Sequence, residues 1–356
     1  MIRALLFTLF VTATPDASHA NPPADQDAAQ ARVELPARFV ANRVVLVPTT
    51  VDGGQLALMT DTGGGMDQLY PATAARLGLP AEPLGQSPLA EELGPGLAGA
   101  TRRTPMPRFA AARGIPPVQS VDGKVLVFPE RFLERQSLPG MTLHDGFLGS
   151  RWFEGRVWTW DYPGERFYRE PDAFSPAPGS AAVQLGFRTS ADGERTHAMP
   201  RITIAVDGRE LPVLLDTGAT TVLTAAALES LGDAGPAERA TSMITDAIFQ
   251  AWRQSHPEWR VIQGAQAGTG SDMIEVPEVE IAGFTVGPVW FTHRPDAAFH
   301  DMMSSMMDQR VEGAIGGNAF QHFVMTVDYP RAVTYFRCVA GCGSRPAATA
   351  KPPPGP

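Results

Sequence analysis

Short apolar runs that end in turn residues recur along the chain and predict a protein built mainly from β-strands. Val44-Val45-Leu46-Val47 is rich in β-branched residues, and so is the run from Ile202 to Val206. Asp52-Gly53 and Asp207-Gly208 follow these runs as candidate turns. Apolar runs bounded by Gly, Pro and Asp are typical of strands joined by hairpins. Helical patterns are confined to short segments.

The same patterns place the other predicted elements. Strands are expected at 55–60, 124–128, 183–187, 211–215, 276–281 and 284–291, and helices at 72–77, 241–255 and 297–309. Residues 79–118 carry many prolines and glycines without a clean period, so we expect loop with little regular structure there. Trp158, Trp160 and Tyr162 alternate along one strand. This alternation favours a packed sheet face over a binding role.

An acidic motif occurs twice, each time after an apolar run. Asp61-Thr62-Gly63 follows Leu58-Met59-Thr60, and Asp216-Thr217-Gly218 follows Leu214-Leu215. Matching segments continue downstream with identical spacing: Gly146-Phe147-Leu148-Gly149, Phe153, Asp161-Tyr162-Pro163 and Tyr168 correspond to Gly313-Ala314-Ile315-Gly316, Phe320, Asp328-Tyr329-Pro330 and Tyr335. A repeat this close predicts a duplicated folding unit.

Each half, with its D-T-G motif and its later Gly-apolar-apolar-Gly motif, resembles one subunit of a retropepsin-like aspartic peptidase. Two such halves in one chain resemble the bilobal, pepsin-like arrangement, over roughly residues 36 to 337. The resemblance implies a mainly β, bilobal acid-protease fold. Its two retropepsin-like β-barrel lobes would be related by a pseudo-two-fold axis, with a cleft between them. It also suggests a bacterial-type exported aspartyl protease.

The resemblance assigns roles to residues of both motifs. Asp61 and Asp216 would be the catalytic pair, Thr62 and Thr217 would cross-link the loops through their hydroxyls, and Gly63 and Gly218 would let the backbone approach the carboxylates. Two carboxyls at hydrogen-bond distance share one proton because like charges that close cannot both ionise. The ionised member can then activate water while the other protonates the substrate carbonyl. The predicted function is an aspartic endopeptidase acting on peptides or proteins, with no cofactor and no metal.

A catalytically weak or inactive protein of this fold, which binds peptides in the cleft, is the alternative. The Gly63-Gly64-Gly65 run would loosen the first loop, whereas the presence of both aspartates and both threonines favours activity. Gly64 and Ala219 stand where pepsins carry a hydroxyl residue that bonds the aspartate. Because such bonds lower a carboxyl pKa, we expect this pair to titrate higher and the activity optimum to be mildly acidic to near neutral.

Composition narrows the partners and the chemistry. The chain of 356 residues is long enough for two domains, and its 44% hydrophobic content is enough to bury a core. The net charge of −9 argues against nucleic acid and anionic membranes as binding partners. There is no G-x-S-x-G or H-E-x-x-H motif, which disfavours serine and zinc hydrolases. The G-x-G-x-x-G match from Gly94 to Gly99 lacks a preceding strand, so we interpret it as chance in a loop. Cys338 and Cys342 predict a small disulfide in an exported protein, with two free thiols as the alternative.

The ends and boundaries follow from local composition. Residues 1–20 combine a basic start, an apolar run and Ser18-His19-Ala20, which predicts a signal peptide and a periplasmic or secreted protein. No segment reaches the roughly 20 apolar residues of a membrane span. We expect a linker at 21–32, an N-terminal lobe at 33–172, an interlobe linker at 173–182, a C-terminal lobe at 183–342 and a disordered Pro-rich tail at 343–356. A monomer is expected, because both lobes lie in one chain.

Overall fold

Strands dominate the computed structural model, which describes residues 31–120 and 122–344. The mainly β class is therefore confirmed. The predicted signal peptide, and most of the predicted 21–32 linker and 343–356 tail, lie outside the described residues. Within those ranges the search for a helix long and apolar enough to cross a membrane finds none. We call residues 31–172 the first half and residues 173–344 the second half.

The first half contains eleven strands and four α-helices among its described residues. The strands are β1 (Val33–Glu34), β2 (Ala37–Val40), β3 (Arg43–Leu46), β4 (Leu58–Thr60), β5 (Gln68–Leu69), β6 (Glu82–Pro83), β7 (Arg102–Pro105), β8 (Lys124–Val127), β9 (Gly146–Leu148), β10 (Val157–Asp161) and β11 (Arg166–Glu170). The helices are α1 (Pro71–Arg76), α2 (Pro88–Ala100), α3 (Glu130–Gln136) and α4 (Ser150–Phe153), with a 3₁₀ turn at Ala111–Arg113.

The second half repeats this plan with longer strands. Its strands are β12 (Ala181–Gln184), β13 (Arg201–Val206), β14 (Arg209–Leu215), β15 (Thr220–Val222), β16 (Glu238–Ala240), β17 (Ser242–Thr245), β18 (Val261–Ile262), β19 (Met273–Val276), β20 (Val279–Ile281), β21 (Phe284–Val286), β22 (Val289–Arg294), β23 (Gly313–Ile315), β24 (Phe323–Asp328), β25 (Val333–Cys338) and β26 (Gly343–Ser344). The helices are α5 (Ala225–Leu231), α6 (Asp246–Ser255) and α7 (Gly317–Phe320), with a π-helix at Ala298–Met303 and a 3₁₀ turn at Ser304–Met306.

Three large sheets organise these strands. The first half contributes an eight-stranded sheet in the order β2-β3-β4-β9-β5-β8-β7-β6, and the second a ten-stranded sheet in the order β18-β19-β22-β17-β23-β14-β13-β20-β21-β26. A third sheet, β1-β11-β10-β24-β25-β12, takes strands from both halves. None of these sheets closes into a barrel, so the expectation of β-barrel lobes is wrong. Each sheet stays open because its two end strands do not pair with each other.

The shared sheet joins the halves through one antiparallel pair. β10 runs along β24 from Val157 opposite Asp328 to Asp161 opposite Val324. Trp158 and Trp160 on β10 are fully buried, and the Trp158 ring stacks on Phe167 with centroids 5.5 Å apart. The packing role predicted for these aromatics is confirmed, although β10 is buried on both faces.

Four local predictions differ from the structure. Residues 79–118 are not structureless: α2 begins there, because the Ser87 side chain accepts a hydrogen bond from the Ala90 N–H. The Gly94–Gly99 match lies inside α2, which bends at Gly94 (φ 73°) ahead of a proline. The helix expected at 241–255 begins only at Asp246, because β17 is held between β22 and β23. The helix expected at 297–309 is a π-helix and a 3₁₀ turn.

Candidate functional site

Two equivalent strands deliver Asp61 and Asp216. β4 and the second part of β14 are buried, and each strand pairs in parallel with the strand that carries the later glycine motif, β9 or β23. The Asp61 N–H donates to the Leu148 carbonyl at 3.0 Å, and the Asp216 N–H donates to the Ile315 carbonyl at 3.0 Å. The same backbone bond therefore fixes the start of both loops.

The two threonines join the loops by reciprocal hydrogen bonds. The Thr62 N–H donates to Thr217 Oγ1 at 3.2 Å, and the Thr217 N–H donates to Thr62 Oγ1 at 3.0 Å. The Thr62 hydroxyl also donates to the Leu215 carbonyl at 2.6 Å. Both threonines are fully buried, so these bonds form away from competing water. They fix the distance between the two loops, and hence between the aspartates.

Each glycine of the pair faces the aspartate of the other half. A Cβ at Gly63 would lie 2.7 Å from Asp216 Cγ, and a Cβ at Gly218 would lie 2.6 Å from Asp61 Oδ2. The Gly63 N–H donates to Asp61 Oδ1 at 2.7 Å, and the Gly218 N–H donates to Asp216 Oδ1 at 3.0 Å. All six residues singled out in the sequence thus form one cluster, and a side chain at either glycine would separate the carboxyls.

The electrostatics of the pair favour one shared proton. Asp216 is 9% exposed, and burial raises its pKa well above the usual value. The negative charge of Asp61 and the hydrogen bond that protonated Asp216 donates to it raise the pKa of Asp216 further. Burial also raises the pKa of Asp61, but the hydrogen bond with Asp216 and the N–H groups of Gly63, Gly64 and Gly218 oppose this rise. The arrangement therefore places the proton on Asp216 and the negative charge on Asp61.

A phenylalanine fills the space beside the first loop. A Cβ at Gly64 would lie 2.6 Å from Phe147 Cε1 and 3.1 Å from Asp61 Oδ2. Gly64 is therefore required by the Phe147 ring, which takes the space that a hydroxyl side chain would need. The sequence analysis missed this pairing. The sequence contained a signal for this pairing, because the two halves differ at both positions. Phe147 and Gly64 in the first half correspond to Ala314 and Ala219 in the second.

Asp67 is a third carboxyl at the first loop, and the sequence analysis also missed it. Its Oδ1 accepts a hydrogen bond from the Gly149 N–H at 2.9 Å. Burial raises the pKa of Asp67 to about 7, against the N–H bond and the charges of Arg151 and Arg156. In the second half, the Ser242 hydroxyl accepts the corresponding Gly316 N–H at 3.1 Å. The first loop is therefore anchored by an ionisable group where the second has a neutral one.

A buried ion pair joins the halves near the loops. Arg43 is 2% exposed, and its Nη1 lies 2.5 Å from Glu238 Oε1. The other Glu238 oxygen accepts bonds from the Thr142 N–H at 3.0 Å and the Thr142 hydroxyl at 2.6 Å. Glu238 belongs to the second half, and its partners belong to the first. Periodicity could not reveal this contact because the residues are far apart in sequence.

Comparison with known proteins does not support the expected family. No family model matches the chain, and no curated protein resembles it in sequence. Solved structures that resemble it include basic 7S globulin from soybean, with TM-score 0.43 and 11% identity over 87% of this chain and 95% of that one. Another is conglutin gamma, a basic 7S globulin from lupine seeds, with TM-score 0.42 and 10% identity over 87% and 96%. Likenesses this distant carry no argument about function.

The predicted family membership is corrected accordingly. The chain was expected to be a retropepsin-like or pepsin-like aspartic peptidase of the bacterial exported type. The similar structures are named as seed globulins, and no family model supports a peptidase assignment. That family prediction is therefore wrong.

Proposed function

We propose that the two halves form a bilobal molecule that binds an extended polypeptide between them and hydrolyses one peptide bond with water activated by Asp61 and Asp216. The observation that supports this proposal is that each D-T-G loop contacts the other through reciprocal bonds and approaches the other loop's aspartate. Gly63 and Gly218 each lie against the carboxyl of the opposite half, and reciprocal threonine bonds with donor–acceptor distances of 3.2 and 3.0 Å join the two loops. A pair with one proton can act as acid and base in the same step.

The roles follow from the asymmetry of the pair. Asp61 carries the charge, so it accepts a proton from a water molecule held between the carboxyls. Asp216 carries the shared proton and donates it to the carbonyl oxygen of the peptide bond. Attack of the water oxygen on the carbonyl carbon gives a tetrahedral diol. Collapse of the diol breaks the C–N bond: Asp61 gives its proton to the leaving nitrogen, and one diol hydroxyl returns a proton to Asp216, which restores the starting pair.

The pH range follows from the direction of both pKa values. Because burial raises the pKa of each aspartate, the singly protonated pair should persist to higher pH than in a pair with more hydrogen-bond donors. We expect the rate to peak at mildly acidic to near-neutral pH. The two limbs of the profile belong to the pair and not to either residue alone.

The direct test is cleavage of a mixed peptide library from about pH 3 to 8, the range in which such a pair can act. Asp61→Asn and Asp216→Asn should each abolish cleavage without unfolding the protein, because Asn keeps the shape but cannot exchange the proton. Asp192→Asn, at an exposed turn position, is the matched control and should cleave like the wild type. Cleavage that survives either dyad substitution would refute the mechanism.

Peptide binding without turnover is the second candidate, and the packing around the first loop favours it. Phe147 takes the space beside Gly64 next to Asp61. This candidate predicts that folded wild type binds library peptides in calorimetry and leaves them intact at every pH. Equal affinity in Asp216→Asn would support it, and any dyad-dependent cleavage would exclude it.

We also propose an exported, monomeric protein. The pattern of residues 1–20 supports export, and so does the Cys338–Cys342 disulfide, with an S–S distance of 2.09 Å, because disulfides persist in oxidising compartments. Fractionation of cells that express the full chain should place it outside the cytoplasm. Loss of export on deletion of residues 2–20 would support the leader, and unchanged export would contradict it. Sedimentation should give the mass of one chain.

A further inference from the structure

A cavity of about 710 Å³ lies in the first half, between α1, α3 and residues 142–145. We call it the α1–α3 cavity. Its volume falls within the range of about 300–1,000 Å³ that is typical of small-molecule sites. Ala57, in its lining, precedes β4, and Asp145 precedes β9. The cavity therefore lies at the opposite end of these strands from the aspartate pair, and it has no part in the mechanism above.

Hydrogen bonds to Asp145 hold one wall of the cavity in place. Asp145 Oδ2 accepts a bond from the Ala57 N–H at 2.8 Å. Its Oδ1 accepts one from the Thr73 hydroxyl at 3.0 Å and a second from the Arg76 guanidinium. These bonds fix α1 to the starts of β4 and β9, and Arg76 balances the charge of the carboxylate.

Two leucines give the cavity an apolar surface. Leu133 on α3 is 8% exposed and packs in a cluster with Leu126 and Phe128, which fixes the helix against the sheet. Leu143 also lines the cavity, but its side chain is 59% exposed. A ligand with an apolar body would cover Leu143 and remove its surface from water, which is favourable.

The opposite wall carries two carboxylates that lack a cation. Glu130 and Glu134 both line the cavity, and both are exposed. They are four residues apart on α3, so they share one face of the helix. Over residues 31–120 and 122–344, no lysine, arginine or histidine forms an ion pair with either of them. Like charges at this spacing destabilise a helix, and a bound cation would relieve that repulsion.

The positive groups in the lining do not supply this cation. Three carboxylates and one guanidinium line the cavity, and the guanidinium, from Arg76, is paired with Asp145. Burial and the charge of Arg43 lower the pKa of the His144 imidazole, and Glu238 and Asp145 oppose this shift. His144 is therefore neutral near pH 7, and the cavity as a whole is negatively charged.

The second half shows that the repeated fold does not by itself create this cavity. Glu312 is the counterpart of Asp145, because each precedes the later glycine motif of its half. His300 Nε2 lies 2.8 Å from Glu312 Oε2, and Phe299 and Met307 pack nearby at 4% exposure. The segment before β23 thus covers this end of the second half, whereas the segment before β9 leaves the cavity open.

We propose that the α1–α3 cavity binds a small organic cation: an amine whose apolar body lies on Leu133 and Leu143 and whose ammonium group lies between Glu130 and Glu134. The cavity volume favours a small molecule, and the unpaired carboxylates favour a positive charge. The inference goes beyond the proposed hydrolysis and does not depend on it, because it concerns binding at a separate place.

The test compares three probes of the same length and different charge, hexylammonium, hexan-1-ol and hexanoate, by NMR titration of the ¹⁵N-labelled protein. Hexylammonium should bind about 3–10-fold more tightly than hexan-1-ol, since two exposed ion pairs form, and hexanoate should bind most weakly. Shifts should centre on the backbone amides of Thr73 and Leu143. The preference should shrink between about 0.01 and 1 M salt, because the screening length falls from about 30 to about 3 Å.

Substitutions separate the charge from the apolar surface. The double variant Glu130→Gln/Glu134→Gln should lose the preference for hexylammonium and bind hexan-1-ol as the wild type does. Leu143→Ser should weaken binding of both probes at least about twofold, and it should still fold because Leu143 is exposed. Glu229→Gln, at an exposed position on α5, is the matched control and should change neither affinity.

Several outcomes would overturn the proposal. Equal binding of hexylammonium and hexan-1-ol would reduce the cavity to a nonspecific apolar surface, and tighter binding of hexanoate would assign it to anions through Arg76. Absence of binding by all three probes, or shifts centred on the D-T-G loops, would refute it as well. None of these readouts involves peptide cleavage, so a failure of the hydrolysis proposal would leave this one standing, and the reverse.

Discussion

Replacing Asp67 by asparagine should change how stability depends on pH. In the folded chain, burial raises the pKa of Asp67 to about 7 from a reference value of 3.8. The folded state then holds the proton more tightly than the unfolded chain does. Protonation therefore stabilises the protein fully below about pH 4, and this contribution is lost as the pH rises through about 7.

The magnitude follows from the two pKa values. They differ by about 3 pH units, and each unit corresponds to about 1.4 kcal/mol, which sets an upper bound of about 4 kcal/mol. Since Asp67 is partly accessible to water, screening lowers the expected effect to about 1–2 kcal/mol. The substituted asparagine would keep an oxygen that can accept the Gly149 N–H, so packing is preserved and only the ionisation is removed.

Urea unfolding of wild type and Asp67→Asn at pH 4 and pH 8 measures this effect. The variant should be similar to wild type at pH 4 and more stable by about 1–2 kcal/mol at pH 8, because it buries no charge. Contributions from the other carboxyls cancel in the difference. Asp192→Asn should show no such pH-dependent gain. A difference between Asp67→Asn and wild type that stays constant over this range would refute the reasoning.

Two further substitutions test packing and charge. Gly64→Ser should lower the free energy of unfolding by about 1–3 kcal/mol, because its Cβ would lie 2.6 Å from Phe147 Cε1. Adding Phe147→Ala to this variant removes the clash, so a double-mutant cycle should show a coupling energy of at least about 1 kcal/mol. Additive effects of the two substitutions would contradict this contact. Glu238→Ala should cost about 3–5 kcal/mol in urea unfolding because it leaves the buried Arg43 charge unpaired. Asp233→Ala is the control, because it breaks an exposed pair with Arg239 and should lower the free energy of unfolding by less than about 1 kcal/mol. Equal losses of stability in Glu238→Ala and Asp233→Ala would argue against burial as the cause.

The central cluster could be predicted because the chain contains it twice. Asp61 and Asp216 each follow an apolar strand, and identical spacing leads to the strand that pairs beside each loop. Because the same motif and the same spacing occur in both halves, the sequence indicates that the two D-T-G loops, although far apart in the chain, form one site. The strand content followed from the apolar runs, since a short run ending at a glycine or aspartate leaves few alternatives.

Features that depend on one specific partner could not be predicted. Ile244 lies in a segment with helical periodicity, but pairing with both neighbours in the sheet overrides that preference. Phe147 and Asp67 differ from their repeat counterparts, and only the three-dimensional contact shows what each difference does. The open sheets, which replace the expected barrels, depend on how end strands are left unpaired, and no local pattern records that.

The pairing of β10 with β24 has a consequence for synthesis of the protein. The two strands are separated by more than 160 residues, so at roughly 5–20 residues per second β10 waits for about 10–30 s without its partner. During that interval one edge of β10 is unpaired, with Trp158 and Trp160 beside it. Unpaired apolar edges are templates for aggregation. The nascent first half should therefore need a chaperone, or delayed folding, until the second half emerges.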